Sequence, residues 1–174
     1  MADIGQDFPT FIKPADTLRG EVIAADSRRV LRYLPRMVLK ASPEDFRERL
    51  THLRAALLAL HKALVDSERV GYEQNIGTIP SANHFLKLLT ADPWFAWLQP
   101  LSQLIVTMDE ALAAKAKTPL TTELASALVK RTAALLVAAE TGDGFARHYY
   151  DALQRDPDGV MAHAAAAKWF RPRP

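Results

Sequence analysis

One run of leucines constrains the fold more than any other feature of this sequence. Large apolar side chains recur at alternating spacings of four and three, at Phe46, Leu50, Leu53, Leu57, Leu60 and Leu64. This spacing is typical of a helix that packs lengthwise against other helices along one face. The pattern therefore predicts a long α-helix within a bundle.

Capping residues give the limits of this helix. Ser42 can cap its first turn, Pro43 suits the first helical position, and Asp45 can supply the acidic part of a capping box. A spine helix over about 43–76 would be about 50 Å long at a rise of 1.5 Å per residue. Gly77 is the expected terminator.

The rest of the chain is predicted to form shorter helices. Helical spacing, divided by prolines and turn residues, covers 81–89, 93–112, 121–140, 145–155 and 159–170. Pro100 should bend or restart its helix, because a proline ring clashes with the carbonyl one turn earlier. We predict an all-α antiparallel bundle of four to six helices. Its expected organisation is an N-terminal arm and short helix packed on the bundle (1–41), the bundle domain (42–170) and a mobile tail (171–174).

Composition excludes several classes of protein. A chain of 174 residues suits one domain with a real core. Its 22 Lys+Arg nearly cancel its 20 Asp+Glu, which predicts no strong attraction to nucleic acid or membranes. The absence of cysteine removes disulfides, thiolate metal sites and cysteine nucleophiles. Without a visible signal peptide or membrane span, we expect a cytoplasmic protein with no membrane insertion.

The stretch TADPWFAWLQP concentrates aromatic residues beside two prolines. At 100° per residue, one face carries Trp94, Trp97, Leu98 and Leu101. Phe95 lies outside that face. A short connection should bring the cluster near Ser67 and Gly71, where small residues of the spine leave room for large ones. We interpret the cluster as core; the alternative is that Phe95 and Trp97 form a partly exposed platform for a partner or an apolar ligand.

A set of polar side chains beside the leucine face is the strongest candidate for chemistry. It comprises His61, Glu68, Tyr72, Trp94, Asp109 and Arg131. As a site, Glu68 or Asp109 would be a general base, His61 a proton carrier and Arg131 the fork that holds an anion. As structure, the set would be a buried network in which Arg131 points inward to Asp109 or Glu68. We favour structure because no nucleophile or metal-ligand set accompanies these residues.

No metal or cofactor is expected. None of the five histidines follows an acidic residue by three positions, so the Glu-x-x-His pattern of di-iron bundles is absent. The sequence also lacks His-Glu-x-x-His, a glycine-rich phosphate loop and Gly-x-Ser-x-Gly.

The string from LHKALVDSERVGYE through DPWFAWLQPLSQLIVTMDEAL resembles an uncharacterised family of bacterial helical proteins. The likeness covers roughly the middle third of the chain. It implies a bacterial, all-helical, single-domain protein, and it brings no activity or binding residue with it.

The expected function is therefore non-enzymatic binding, either to a second copy of the chain or to another protein. Spare apolar residues would form the interaction surface, namely Phe8, Phe11, Phe95, Trp97 and Trp169. The alternative is a bundle that binds a small ligand or cofactor in a polar pocket near Glu68, Asp109 and Arg131. An enzyme with its active site in that pocket is one form of this alternative.

Overall fold

A computed structural model of the chain describes residues 43–113 and 119–170, which contain helices and no β-strand. The six α-helices are α1 (Pro43–Asn75), α2 (Ala82–Ala91), α3 (Gln99–Leu112), α4 (Thr122–Leu135), α5 (Phe145–Arg155) and α6 (Pro157–Phe170), with a 3₁₀ helix over Pro93–Leu98. The predicted all-α bundle is confirmed. The chain divides into two units, Met1–Ala41 and Ser42–Pro174, and all these helices belong to the second. The predicted N-terminal arm and C-terminal tail lie outside the described residues.

The leucine face of α1 is the centre of the core. Helix α1 runs for 33 residues, close to the predicted spine. Its seam is almost completely buried, with Leu50, Leu53, Leu57 and Leu60 at 0% exposure and Leu64 at 1%. Burying a leucine side chain stabilises a fold by about 1.5–3 kcal/mol, so this face is a main source of stability.

Helix α3 lies antiparallel to α1. Arg47 Nη1, near the start of α1, donates to the carbonyl oxygen of Leu112 at the end of α3. Further along the pair, His61 contacts Ser102 near the start of α3. Residue numbers therefore rise along one helix as they fall along the other.

Helix α6 is a second antiparallel neighbour of α1. Arg49 Nε donates over 2.9 Å to the carbonyl oxygen of Trp169. At the other end of α6, a Cβ placed on Gly159 would lie 3.9 Å from a methyl group of Leu64. Helix α4 packs against α1, α3 and α6, which closes the bundle.

Side-chain caps start three of the elements, close to the predicted starts of those helices. Ser81 caps α2, Asp92 caps the 3₁₀ helix and Thr121 caps α4, each accepting a backbone amide proton of the first turn. Helix α4 ends at Leu135, before the predicted residue 140. Beyond it, the Ala139 N–H donates to a carbonyl of α5 and so does not extend the helical ladder.

The aromatic stretch departs from the expected geometry because it is a 3₁₀ helix. With three residues per turn, Trp94 aligns with Trp97, and Phe95 aligns with Leu98. Phe95 is therefore buried, at 1% exposure, and the prediction that it lies outside the buried face is wrong. The fresh start at Pro100 is confirmed, since α3 begins at Gln99 with this proline in its first turn.

Candidate functional site

Polar side chains occupy every seventh position along one edge of α1. They are Arg47, Arg54, His61 and Glu68. A spacing of seven keeps side chains on nearly the same side of a helix. The first three contact α3 and the fourth contacts α5. This edge therefore joins three helices through polar contacts beside the apolar core.

His61 is held in a short relay of hydrogen bonds. Its Nε2 lies 2.8 Å from Ser102 Oγ, and that hydroxyl donates to the carbonyl oxygen of Leu98. Both contacts are satisfied when His61 donates from Nε2 to Ser102. Burial lowers the pKa of His61 below 6.5, its ordinary value, because the charged imidazolium would lose hydration. A neutral, donating His61 fits a structural contact.

Asp109 pairs with Arg54, and the expected pair with Arg131 is not formed. Arg54 Nε donates to Asp109 Oδ1 over 2.5 Å, and this hydrogen bond raises the pKa of Arg54. Arg131 is exposed. The buried side of α4 carries Ala125 and Leu128, and it is rotated away from Arg131. The prediction of an inward Arg131 is therefore wrong.

Glu68 is the one buried acidic residue among the described residues, with the residue as a whole 7% exposed. Its carboxylate accepts a hydrogen bond of 2.5 Å from Arg155 Nη2. Arg155 ends α5, so the pair ties α5 to the spine. The sequence singled out Glu68 and missed Arg155, whose only signal is its position in the last turn of a helix.

The predicted polar set does not converge on one point. Asp109 is paired with Arg54, and Arg54 lies about 21 Å from Glu68 along α1 at a rise of 1.5 Å per residue. Tyr72 lies in an aromatic group, stacked on Phe95 with ring centroids 5.6 Å apart and edge-on to Trp94 at 5.9 Å. His61, Glu68, Tyr72 and Asp109 thus each contact a separate partner, which favours the structural interpretation.

Three of the apolar residues predicted to form an interaction surface lie in the described part of the chain, and these three are buried or half-buried. Phe95 and Trp97 are buried, at 1% and 9% exposure, so they form core and no platform. Trp169 is half-buried and stacks on His52 at 4.7 Å. Phe8 and Phe11 lie outside the described residues.

An exposed apolar surface lies instead on α6. Met161 is 70% exposed and Val160 44%, and the neighbouring Ala164 and Ala165 are also exposed. We call these four residues the outer face of α6. The sequence signal for this surface is the segment GVMAHAAAAKWF. Apolar residues occupy nearly every position in it, so they fall on both sides of the helix.

The inner side of α6 packs against α5. Tyr149 is completely buried, and its hydroxyl lies 2.6 Å from His163 Nδ1. Burial raises the pKa of Tyr149 well above its ordinary value because the charged phenolate would lose hydration, so the hydroxyl is neutral in its hydrogen bond with His163. The rings of Phe145 and Tyr149 stack at 5.3 Å beside this contact. These contacts fix which side of α6 faces outward.

Two further properties hold for the described part of the chain. It contains no group of three or more histidine, cysteine or acidic side chains placed to hold a metal ion. Its helices include none with the length and apolar character needed to cross a membrane.

Comparisons with protein families, with curated proteins and with solved structures found no match to this chain.

Proposed function

We propose that this helical bundle works by binding a protein through the outer face of α6. The observation that carries the proposal is that α6 is apolar on both sides. Its inner side buries Gly159, Ala166 and Ala167, and its outer side exposes Val160, Met161, Ala164 and Ala165. Helices that are apolar all round are normally buried on all sides. A partner that covers the outer face would complete the burial of this helix.

The distribution of the polar side chains supports binding over catalysis. Glu68, His61 and Asp109 each contact a different structural partner, and those contacts lie at separate levels of α1. Acid–base catalysis requires its groups within hydrogen-bond reach of one reacting atom. The described residues do not bring these three groups together.

Photo-crosslinking in the cells that make the protein tests this function. A photoreactive amino acid at Ala164 should form an adduct with another polypeptide chain. The same amino acid at Glu110, an exposed polar position on α3, is the matched control and should form none. Equal yields at both positions, or no intermolecular adduct at Ala164, would remove the proposal.

A small-ligand site is the second candidate, and one atom favours it. Trp94 Nε1 is buried and has no hydrogen-bond partner within the described ranges. Buried donors are nearly always paired, so a ligand with an acceptor atom would satisfy this group. Native mass spectrometry of gently purified protein should then give a mass above the 19.3 kDa of the chain. That excess should be lost in Trp94→Phe, which keeps an aromatic ring without the N–H; a bare chain in the wild type would eliminate the candidate.

A further inference from the structure

We infer that the partner of the outer face of α6 is the same face of a second copy of this chain. The two α6 helices run antiparallel, and the contact is centred at the level of His163 along each helix. The inference rests on the proposed function and names its partner. A symmetric pair of this kind uses one surface patch twice, so the patch has to be complementary to itself. The charges and the side-chain sizes on α6 both meet that condition.

Two charged residues flank the outer face at equal distances from its middle. Asp158 precedes His163 by as many positions as Lys168 follows it, about 7.5 Å in each direction along the helix. Both are exposed. In an antiparallel pair centred at His163, each Asp158 lies level with Lys168 of the other copy, which gives two attractive contacts. A parallel pair would place like charges opposite each other, so the charges select the antiparallel arrangement.

The sizes of the apolar side chains follow the same symmetry. Met161 lies before the centre of the face, and Ala164 and Ala165 lie after it. Antiparallel pairing brings each Met161 level with the alanines of the other copy. Large side chains opposite small ones fill space without forcing the backbones apart, and methionine adapts to an irregular surface. The antiparallel orientation also opposes the two helix dipoles, with negative ends near positive ends.

The surface is already ordered in a single copy. The contact between Tyr149 and His163 and the hydrogen bond from Arg49 to Trp169 hold α6 in position. Binding therefore requires little further ordering of the backbone, and a preorganised surface retains more of its interaction energy as affinity.

Sedimentation of the full chain over a range of concentrations is the first test. Wild type should approach a mass of twice 19.3 kDa as concentration rises. Met161→Glu places a carboxylate within the apolar contact and should weaken association about 100-fold or more. Leu86→Glu is the matched control, since Leu86 is 61% exposed on α2 and is not part of the outer face of α6, and it should associate as wild type does.

Charge reversal tests the antiparallel register. Asp158→Lys and Lys168→Asp each turn both end contacts into repulsions, so each variant alone should associate about tenfold more weakly. An equimolar mixture of the two variants restores opposite charges at both ends and should regain association as a mixed pair. The mixture also controls for any loss of helix stability, because a variant with a damaged α6 would not recover.

The outcomes separate this inference from the proposed function. A wild-type chain that stays monomeric, or a Met161→Glu variant that still associates, overturns the inference. A mixture that gains nothing over its components overturns the antiparallel register. If the wild type is monomeric while Ala164 crosslinks to a different protein, the second copy is wrong and the proposed function stands. If Ala164 crosslinks to no other chain, the proposed function fails as well.

Discussion

Arg155, in the last turn of α5, donates from Nη2 to the buried carboxylate of Glu68 on α1, over 2.5 Å. The two side chains differ in exposure, 48% for Arg155 and 9% for Glu68. The acidic partner therefore depends on the arginine for charge compensation, whereas the arginine remains hydrated without it.

Removing Arg155 should therefore destabilise the fold. Arg155→Met leaves the Glu68 carboxylate buried and unpaired, and we expect a loss of about 1–3 kcal/mol in the free energy of unfolding. The double variant Glu68→Leu with Arg155→Met should recover a large part of this loss. Urea unfolding of the single and the double variant measures the loss and the recovery in the free energy of unfolding. Arg131→Met, at an exposed position, is the control and should stay within about 0.5 kcal/mol of wild type; if Arg155→Met behaved like that control, the pair would contribute no stability.

The stability of the fold should decrease as pH falls through the ordinary pKa of histidine, and His61 should cause part of that decrease. Burial lowers the pKa of His61 in the folded chain below 6.5. Between these two pKa values the unfolded chain binds a proton that the folded chain does not, so the free energy of unfolding falls with decreasing pH. The loss attributable to His61 should stop below its folded-state pKa.

Chemical denaturation at a series of pH values from neutral to mildly acidic measures this effect. His61→Gln should give a flatter profile than wild type, and His84→Gln, at an exposed position, should leave the slope unchanged. Parallel profiles for wild type and His61→Gln would mean that His61 takes up its proton equally in both states.

Phe95 should contribute more stability than Trp94, although tryptophan is the larger residue. Phe95 is 1% exposed and its ring contacts those of Tyr72 and Phe85, whereas Trp94 is half-buried. Phe95→Ala should cost about 3–5 kcal/mol and Trp94→Ala about 1–3 kcal/mol. Ala96→Ser, on the exposed side of the same 3₁₀ helix, should be nearly neutral. Calorimetric or urea unfolding of the three variants gives the order; the reverse order would contradict the 3₁₀ geometry.

Gly71 should accept alanine and reject a larger side chain. It lies inside α1, where glycine is about 0.5–1 kcal/mol less favourable than alanine. A Cβ at this position would lie 3.5 Å from Trp94 Cζ2, an ordinary van der Waals contact. Gly71→Ala should therefore raise the thermal unfolding temperature, and Gly71→Leu should lower it by forcing Trp94 to move. A lower unfolding temperature for Gly71→Ala would show that the contact has no room for a methyl group.

The elements that local patterns specify were predictable from the sequence. Alternating spacings of four and three locate the buried seam of α1, because they match the helical repeat. Ser81, Asp92 and Thr121 mark helix starts, because a short polar side chain can bond to the free amides of the next turn. Pro100 marks the break before α3, because its ring excludes it from the middle of a helix.

The polar contacts were less predictable, because they depend on how helices are rotated against each other. The pattern places Arg131 among leucines, but the buried side of α4 includes Thr132 and leaves Arg131 in solvent. Asp109 pairs with Arg54 on α1. Phe95 was misplaced for a different reason, since the sequence does not distinguish three residues per turn from 3.6 over so short a segment.

The antiparallel packing of α6 on α1 affects how the chain is synthesised. A ribosome completes the seam of α1 long before it adds Trp169, whose carbonyl oxygen receives the hydrogen bond from Arg49. Until that residue emerges, the side of α1 that packs against α6 stays uncovered, although α3 and α4 have already been synthesised. Incomplete chains that expose apolar surface are prone to aggregate and are held by chaperones. Emergence of α6 from the ribosome is therefore required before this side of the spine can be buried.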